Sequence, residues 1–310
     1  MHYTGTIWRP PYEARSLLLE ITAGCTHHKC KFCTLYNDLP FNFRMSSIKD
    51  IESDLLELQT ALCDPISKIT SSMTGNKPFT ADRVFLTGAN PFVLSYGKLS
   101  EIAALIHRYL PFIKTIGSFA RITDISSKTD DELSNLSDMG YDALTIGIET
   151  GDDKALEFMK KGYVSADIIK QCSRLDKAGI RYSFFYLAGI SGVGRGEVGA
   201  KFTADVCNQL NPILIGANML TVYPDSALFN EIKNGNWREE SELEKYIEIR
   251  TLIEHLKIET SVAAMGSSNA FHFQADIPRG KEKLLAFLNK IINNVSEGEL
   301  MAYRKNVKHL

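Results

Sequence analysis

Long apolar runs are absent from this sequence. Nothing in its 310 residues approaches the ~20 consecutive apolar residues of a membrane-spanning helix, and the opening Met1-His2-Tyr3-Thr4-Gly5 lacks the basic flank and apolar core of a signal peptide. An excess of one charge is also absent, because 35 Lys and Arg stand against 37 Asp and Glu without any long block of like charges. We therefore expect a cytoplasmic protein without a membrane partner, and the charge does not indicate nucleic-acid binding.

Cysteine is scarce and unevenly placed. The sequence has six cysteines, and three of them lie in one short segment, Cys25, Cys30 and Cys33. Such spacing does not resemble a disulfide framework, and in a reducing compartment a tight group of cysteines indicates metal binding. Free cysteine behaves as a small apolar side chain, so we expect the other three to be buried in helices: Cys63, Cys172 and Cys207.

Strand-like and helical segments alternate along the chain. Apolar runs typical of buried strands occur near residues 16–22, 84–86, 116–120, 143–148, 182–187 and 213–222, and most are separated by helical patterns. This alternation predicts an α/β fold, a partial (three-quarter) parallel β/α barrel of about six strands. We expect residues 1–235 to form the barrel core. Residues 236–310 should form a mostly helical C-terminal extension that closes the barrel within the same compact unit, and residues 67–80 a mobile surface loop.

Two local patterns predict where helices begin and end. Thr129 and Glu132 have the spacing of a capping box, in which each side chain accepts a hydrogen bond from the other residue's backbone N–H. Gly179 follows a helical pattern and can adopt the left-handed conformation that ends a helix.

The chemistry concentrates in a Cys-x4-Cys-x2-Cys segment directly after the first predicted strand. In parallel β/α folds, the loops at the carboxyl ends of the strands form the active-site face. Three thiolates, from Cys25, Cys30 and Cys33, can hold a four-iron cluster and leave one iron without a protein ligand. An open coordination position is what a substrate-binding metal centre needs.

These features resemble the radical S-adenosylmethionine superfamily over most of the chain, from residue 9 to about residue 304. The resemblance implies a 4Fe-4S cluster and S-adenosylmethionine as cofactors, with the cofactor's amino and carboxylate groups on the open iron. It implies that one electron breaks the bond between sulfur and ribose C5′, and that the resulting radical abstracts a hydrogen atom from the substrate. It also implies a flavodoxin or ferredoxin-type electron donor and a small-molecule or cofactor substrate.

The resemblance also assigns residues to the cofactor end of the site. Phe32 matches the aromatic position that packs near the adenine. Gly88-Ala89-Asn90 matches a Gly-Gly-acid turn that grips the methionyl amino group, with an uncharged amide in place of the acid, so the grip should be weaker. The first cysteine interval also departs from the family, since it has four residues where three are most common.

Four further positions follow from the resemblance. Glu149 lies in a segment that matches the region contacting the ribose and the methionyl group. Ser118 and Arg121, at the end of the third predicted strand, are placed to contact the ribose or the carboxylate. Ile190 lies in a loose match to the segment that lines the adenine.

The residues alone also permit simpler interpretations. A structural zinc site could use the three clustered cysteines with His27 or His28, although no second Cys-x2-Cys occurs. Glu149 could cap a helix or pair with a neighbouring lysine, and Asn90 before a proline is an ordinary turn.

The protein could also be an accessory protein that binds a cluster and S-adenosylmethionine, or a tetrapyrrole, without hydrogen abstraction. Formation of 5′-deoxyadenosine separates these functions.

The substrate side of the site is marked only by a short segment in the predicted helical tail. His272 and Gln274 lie among aromatic residues there, and we hypothesise that they face the substrate, with His272 as a catalytic residue for proton transfer. Core packing of Phe271 and His272 is the opposing interpretation. Were His272 structural, the substrate pocket would be sought near the amino end, around Arg9, Tyr12 and Glu13. The sequence does not identify the substrate.

Overall fold

A computed structural model describes residues 1–63 and 81–305. Within them, ten strands are found: β1 (Leu17–Glu20), β2 (Thr22–Gly24), β3 (Phe43–Met45), β4 (Arg83–Thr87), β5 (Thr115–Ala120), β6 (Leu144–Glu149), β7 (Tyr182–Ala188), β8 (Leu214–Met219), β9 (Thr260–Ala264) and β10 (Phe273–Ile277). Eight of them form one sheet in the order β1-β4-β5-β6-β7-β8-β9-β10, and β2 and β3 form a separate antiparallel pair. The surface loop predicted at residues 67–80 lies outside the described residues.

The sheet is parallel from β1 to β9, and only β10 runs antiparallel to its neighbour. Helices connect the strands: α1 (Ile48–Cys63), α2 (Tyr96–Tyr109), α3 (Ile122–Ser126), α4 (Asp130–Asp138), α5 (Asp153–Phe158), α6 (Ser165–Ala178), α7 (Gly196–Cys207), α8 (Ala227–Lys233), α9 (Glu242–His255), α10 (Lys281–Asn294) and α11 (Glu297–Lys305). Because β1 and β10 lie at opposite edges of the sheet, the barrel is open. The predicted partial β/α barrel is therefore confirmed.

The helices lie on the sheet through apolar faces at helical spacing. In α2, for example, Leu99, Ile102 and Ile106 are fully buried against the core. The predicted capping box holds, since the Thr129 side chain accepts from the Glu132 N–H and the Glu132 side chain from the Thr129 N–H. Gly179 ends α6 with a left-handed φ of 74°. Cys172 and Cys207 are buried as expected, and the side chain of Cys63 lies outside the described residues.

The tail after residue 235 differs from the prediction. It is mostly helical, but it also contains β9 and β10, and β9 pairs with β8 in parallel, so the tail continues the sheet. The reason lies in the side chains: β9 has one long aliphatic residue, Val262, beside small alanines, and β10 alternates exposed and half-buried residues. Neither run has the apolar signal of a buried strand.

The segment before β1 packs into the barrel. The hydroxyl groups of Tyr12 and Thr145 are 2.8 Å apart, and the guanidinium of Arg83 donates to the buried Glu13 carboxylate over 2.7 to 3.0 Å. This segment is therefore part of the barrel wall. No helix within the described part of the chain has the length and apolar character needed to cross a bilayer.

Candidate active site

A cavity of about 490 Å³ lies among the carboxyl ends of the parallel strands. This volume is within the usual range of small-molecule sites. Its wall includes the cysteine loop, the ends of β5 to β9 and the segment before β1. The three clustered cysteines and four of the other predicted residues line it: Cys25, Cys30, Cys33, Phe32, Gly88, Arg121 and Glu149.

The cysteine loop is held in place by backbone hydrogen bonds at both ends. The Cys25 N–H donates to the Asn42 carbonyl over 2.7 Å, which ties the loop to the β2–β3 pair. The Lys31 N–H donates to the Met159 carbonyl over 3.1 Å, at the end of α5. These two hydrogen bonds fix the course of the loop at both of its ends.

The thiols of this loop influence one another. The pKa of Cys33 is raised by burial first and then by the neighbouring Cys30 and Cys25 thiolates, although the residue keeps exposed surface. Burial also raises the pKa of Cys30, against the lowering effect of Lys161 and Arg121. Three thiolates this close need a cation to remain ionised together. The donor set thus fits an iron–sulfur cluster, with three soft ligands and an open side toward the cavity.

The histidines of the loop do not complete a single-ion site. The His27 Nε2 atom lies 2.5 Å from the Lys160 carbonyl oxygen, and burial lowers the pKa of this ring. His28 is exposed. Across residues 1–63 and 81–305, no three His, Cys, Asp or Glu side chains are grouped as ligands of one metal ion. The zinc interpretation therefore has no histidine ligand in place.

A buried ion pair lines the cavity beside the cysteines. The Lys161 Nζ atom donates to Glu149 Oε1 over 3.0 Å, and both side chains are largely buried. Burial is the largest single effect on Lys161 and opposes its charge, but Glu149 together with Tyr163 and Cys30 outweighs burial and raises the Lys161 pKa. Lys161 was not predicted, because a lysine after a short helix has no distinctive sequence signal. Glu149 does pair with a lysine, as the simpler interpretation allows.

Backbone conformation also marks the Glu149 position. Glu149 adopts a left-handed φ of 64°, which costs energy for a residue other than glycine, and the pairing of β6 with β7 shifts register between Gly147 and Glu149. The Tyr163 hydroxyl donates to the Gly147 carbonyl over 2.7 Å beside the shift. Strain of this kind persists where the surrounding structure holds a side chain in a required direction.

Asn90 does not line the cavity, although the resemblance places it against the methionyl amino group of the cofactor. It is fully buried, and its amide nitrogen donates to Thr26 Oγ1 over 2.9 Å and to the Asp124 carboxylate over 3.1 and 3.2 Å. Asp124 also accepts from the Arg121 N–H over 2.8 Å. Burial raises the Asp124 pKa to about 6. Asn90 and Asp124 thus join the cysteine loop to α3 behind the wall, while Gly88 and Ala89 form the wall itself.

Three other predicted residues also lie off the cavity wall. Ser118 is fully buried and its hydroxyl donates to the Phe119 carbonyl over 2.9 Å. Ile190 is buried in a small apolar cluster that includes Trp237. His272 is exposed and does not line the cavity, whereas Phe271 packs on the core. The structure thus does not bring His272 to the site, because His272 faces solvent just before β10 begins.

A second part of the cavity wall carries no charged side chain and was largely missed from the sequence. We call it the neutral side and define it by its residues from β7, β8 and β9 and from the turn after β8: Phe185, Gly216, Asn218, Thr221, Tyr223 and Ala263. Tyr12 and Phe119 form its floor, with ring centroids 6.4 and 6.2 Å from that of Phe185. Tyr12 lies in the amino-terminal segment that was the alternative location of the substrate pocket. The residues of the neutral side are single positions on separate elements. They form no sequence motif from which this part of the wall could be predicted.

Comparison with known proteins gives a family match. The family model described as the Radical SAM superfamily matches residues 19–200, more than half of the chain. A search of curated proteins finds no match.

Solved structures show the same fold at low identity. The radical S-adenosylmethionine methyltransferase TsrM from Kitasatospora setae is 16% identical over 71% of this chain, with a TM-score of 0.54. Coproporphyrinogen III oxidase from Escherichia coli is 16% identical over 77%, with a TM-score of 0.55. This chain covers 39% and 51% of those two chains. It covers 85% of methylornithine synthase, at 12% identity over 93% of this chain and a TM-score of 0.51.

Proposed function

Since this chain belongs to the radical S-adenosylmethionine superfamily, we propose that it is an enzyme that reductively cleaves S-adenosylmethionine and abstracts a hydrogen atom from a small substrate. The observation that carries the proposal is the position of three clustered thiols on the wall of a 490 Å³ cavity. The bound cluster and S-adenosylmethionine supply a 5′-deoxyadenosyl radical. All other contributions to binding and orienting the cofactor and the substrate come from side chains of this chain.

Cys25, Cys30 and Cys33 are the proposed ligands of the cluster. Phe32, between the second and third of them, offers its ring to the adenine. Glu149, held by Lys161 at 3.0 Å, is an acceptor for the ribose hydroxyls or the methionyl amino group.

Arg121 is the proposed partner of the methionyl carboxylate. It lines the cavity, and its guanidinium is oriented by a hydrogen bond to the Lys161 carbonyl. The turn at Gly88 brings backbone close to the cofactor. Its φ is 130°, and a Cβ there would lie 2.0 Å from Thr22 Oγ1, so only glycine fits. Asn90 and Asp124 act behind this turn as positioning residues.

The proposed electron donor is a small flavodoxin or ferredoxin-type protein. Cys33 is the most exposed of the three cysteines, so the short path for an electron leads in from its side of the loop.

The test begins with metal content. Anaerobically purified protein should be brown with about four irons per chain. Replacing Cys25, Cys30 and Cys33 together by alanine should remove the iron, whereas the matched control, Cys172→Ala with Cys207→Ala, should keep it. A colourless anaerobic preparation with stoichiometric zinc would contradict the proposal.

Product analysis completes the test. Reduced holoprotein should convert S-adenosylmethionine to 5′-deoxyadenosine and methionine, and the triple cysteine variant should not. A protein that keeps its cluster and binds S-adenosylmethionine without forming 5′-deoxyadenosine would instead be an accessory protein.

A further inference from the structure

The cavity wall carries one positive charge that the proposed cofactor contacts do not use. Besides the three cysteines, the ionisable acids and bases of the described residues that line the cavity are Arg9, Arg121, Glu149 and Lys161. Glu149 and Lys161 pair with each other, and Arg121 is the proposed partner of the methionyl carboxylate. The charge of Arg9 is therefore left for a different ligand.

The Arg9 guanidinium keeps most of its hydrogen-bonding capacity. Its Nη1 atom donates to the Ala14 carbonyl over 3.3 Å, and within residues 1–63 and 81–305 it forms no ion pair with a carboxylate. A guanidinium has five N–H donors in one plane, so a carboxylate can still bind Arg9 through two parallel hydrogen bonds. The side chain is exposed as well as lining the cavity, so an anion can reach it without losing all of its water.

The backbone beside Arg9 is positioned in advance. Two prolines follow Arg9, and proline restricts φ. The Glu13 N–H donates to the Pro10 carbonyl over 2.9 Å, and the buried Glu13 carboxylate accepts from Arg83 over 2.7 to 3.0 Å. A ligand that binds Arg9 therefore does not have to order this turn, which lowers the entropic cost of binding.

Arg9 and the cysteines reach the cavity from different ends of the strands. Ala14, which accepts the hydrogen bond of Arg9, precedes β1, whereas the cysteine loop follows the carboxyl end of the same strand. Leu214, the first residue of β8, also lines the cavity, which therefore extends down the inside of the barrel. A strand of six residues such as β8 spans about 17 Å. An anion bound to Arg9 is thus kept away from the cluster.

The wall between these two ends is largely apolar. It includes four aromatic residues: Trp8, Tyr12, Phe119 and Phe185. Among the described residues that line the cavity, Glu149 is the only carboxylate, and Lys161 already neutralises it. A positively charged group would lose hydration here without gaining a counter-charge. The cavity therefore favours an apolar molecule that is negatively charged at one end.

We propose that the substrate is an elongated, largely apolar organic acid, and that Arg9 binds its carboxylate while the apolar part extends toward the cluster. This inference rests on the proposed function, because it assigns Arg121 and Glu149 to S-adenosylmethionine. It excludes apolar amines as substrates.

The test uses three probes of similar shape and different charge. Phenylbutyrate is an anion, phenylbutyramide is neutral, and phenylbutylamine is a cation at neutral pH. Binding to the cluster-loaded protein is measured by saturation-transfer NMR, with S-adenosylmethionine saturating and the cluster left oxidised so that no cleavage occurs. We expect phenylbutyrate to bind most tightly and phenylbutylamine most weakly. Equal affinities, a preference for the amine, or no binding of phenylbutyrate would overturn the proposal.

Two variants that each remove one positive charge locate the binding. Arg9→Gln removes the proposed partner. Arg15→Gln is the matched control, because Arg15 is an exposed arginine of the same segment that does not line the cavity. Arg9→Gln should weaken phenylbutyrate about threefold to tenfold, as expected for one partly exposed bidentate pair, and leave phenylbutyramide unchanged. Arg15→Gln should change neither affinity. Equal losses in the two variants would reflect net charge alone and would refute the role of Arg9.

The two proposals fail separately. Iron content and 5′-deoxyadenosine formation by wild-type protein decide whether the enzyme is of the proposed kind. The comparison of Arg9→Gln with Arg15→Gln involves no turnover, and it is repeated without S-adenosylmethionine, where Arg121 is the same in every protein compared. A loss of phenylbutyrate affinity confined to Arg9→Gln therefore identifies the anion site whether or not the cofactor is cleaved.

Discussion

The two sides of the cavity are built on opposite principles. On the charged side, defined by the cysteine loop with Arg121, Glu149 and Lys161, the charges of Glu149 and Lys161 pair with each other, and the Arg121 guanidinium donates to the Lys161 carbonyl. On the neutral side, the side-chain hydroxyls of Thr221 and Tyr223 have no hydrogen-bond partner among residues 1–63 and 81–305. A charge left alone in a buried place costs several kcal/mol, whereas a single hydroxyl costs much less. The difference shows which groups a protein can keep in readiness for a ligand and which it must hold fixed in advance.

The largest loss of folding stability is expected from Lys161→Met, on the charged side of the cavity. The variant leaves the largely buried Glu149 carboxylate without its cation, which should cost about 3 kcal/mol. An apparent melting temperature lowered by about 5–10 °C is expected in thermal unfolding. The double variant with Glu149→Gln removes both charges and should recover most of the loss. If Lys161→Met melts like wild-type protein, the pair does not stabilise the charged side.

Asn90→Asp should have the next largest effect. The resemblance alone implies that an acid at this position would strengthen the cofactor grip. The structure implies the opposite, since the new carboxylate would face Asp124 at the 3.1 Å now spanned by a hydrogen bond. Like charges this close should destabilise the fold by about 2 kcal/mol, more at pH 8 than at pH 5.

The matched control for Asn90→Asp exchanges the amide and the carboxylate between positions 90 and 124. Combining it with Asp124→Asn restores one amide and one carboxylate, and the melting temperature should return toward the wild-type value. A single variant as stable as wild-type protein at pH 8 would show that the two side chains do not face each other.

Asp124 should also leave a mark on the pH dependence of stability. Burial raises its folded-state pKa to about 6, above the ordinary value of 3.8, so the folded protein binds this proton more tightly than the unfolded chain. Stability from this group is present below pH 4 and is lost as the pH rises to about 6, by up to about 3 kcal/mol.

The free energy of unfolding is measured for the triple cysteine variant and for the same variant with Asp124→Asn. Cluster-free protein is used because metal binding is itself pH-dependent. The difference in unfolding free energy between the two should change from pH 4 to 6 and level off above that. A constant difference across this range would mean that the Asp124 pKa is not raised.

The smallest effect is expected from His272→Ala. The residue is exposed and belongs to neither side of the cavity. Iron content should be unchanged, and stability should stay within about 0.5 kcal/mol of wild-type protein. Loss of substrate-dependent turnover with an intact cluster would restore the sequence-based role of His272.

The sequence predicted the charged side better than the neutral side, for a physical reason. Metal ligands must come from a few residue types at short spacing, so the cysteine loop is visible as a motif. Glu149 ends a strong apolar strand and lines the cavity, while its predicted contact with the cofactor stays a prediction. The partners of such residues, Lys161 and Asp124, come from other elements, and only the fold brings them close. The Asn90 side chain faces Asp124 rather than the cavity, because residue type predicts a position in a turn but not the direction of the side chain.

The neutral side had no comparable signal. Gly216 and Asn218 alternate with buried residues along β8, which reads as an ordinary strand. Ala263 belongs to β9, whose small side chains concealed the strand altogether. The long apolar strands were found because burial on both faces requires them, but a strand that lines a cavity does not need bulky side chains.

A residue far along the chain from the cysteine loop holds part of the cavity wall by hydrogen bonds. Arg304, in α11, donates to the Ser268 carbonyl over 2.8 Å and to the carbonyl of Leu220, next to the lining residues Ser267 and Thr221. A ribosome adding about 5–20 residues per second makes the cysteine loop some tens of seconds before it makes Arg304. During that interval the three thiols stand without the wall that will enclose them. Delivery of iron and sulfide therefore has an early, open period and a late, enclosed one, and the rate of translation sets the boundary between them.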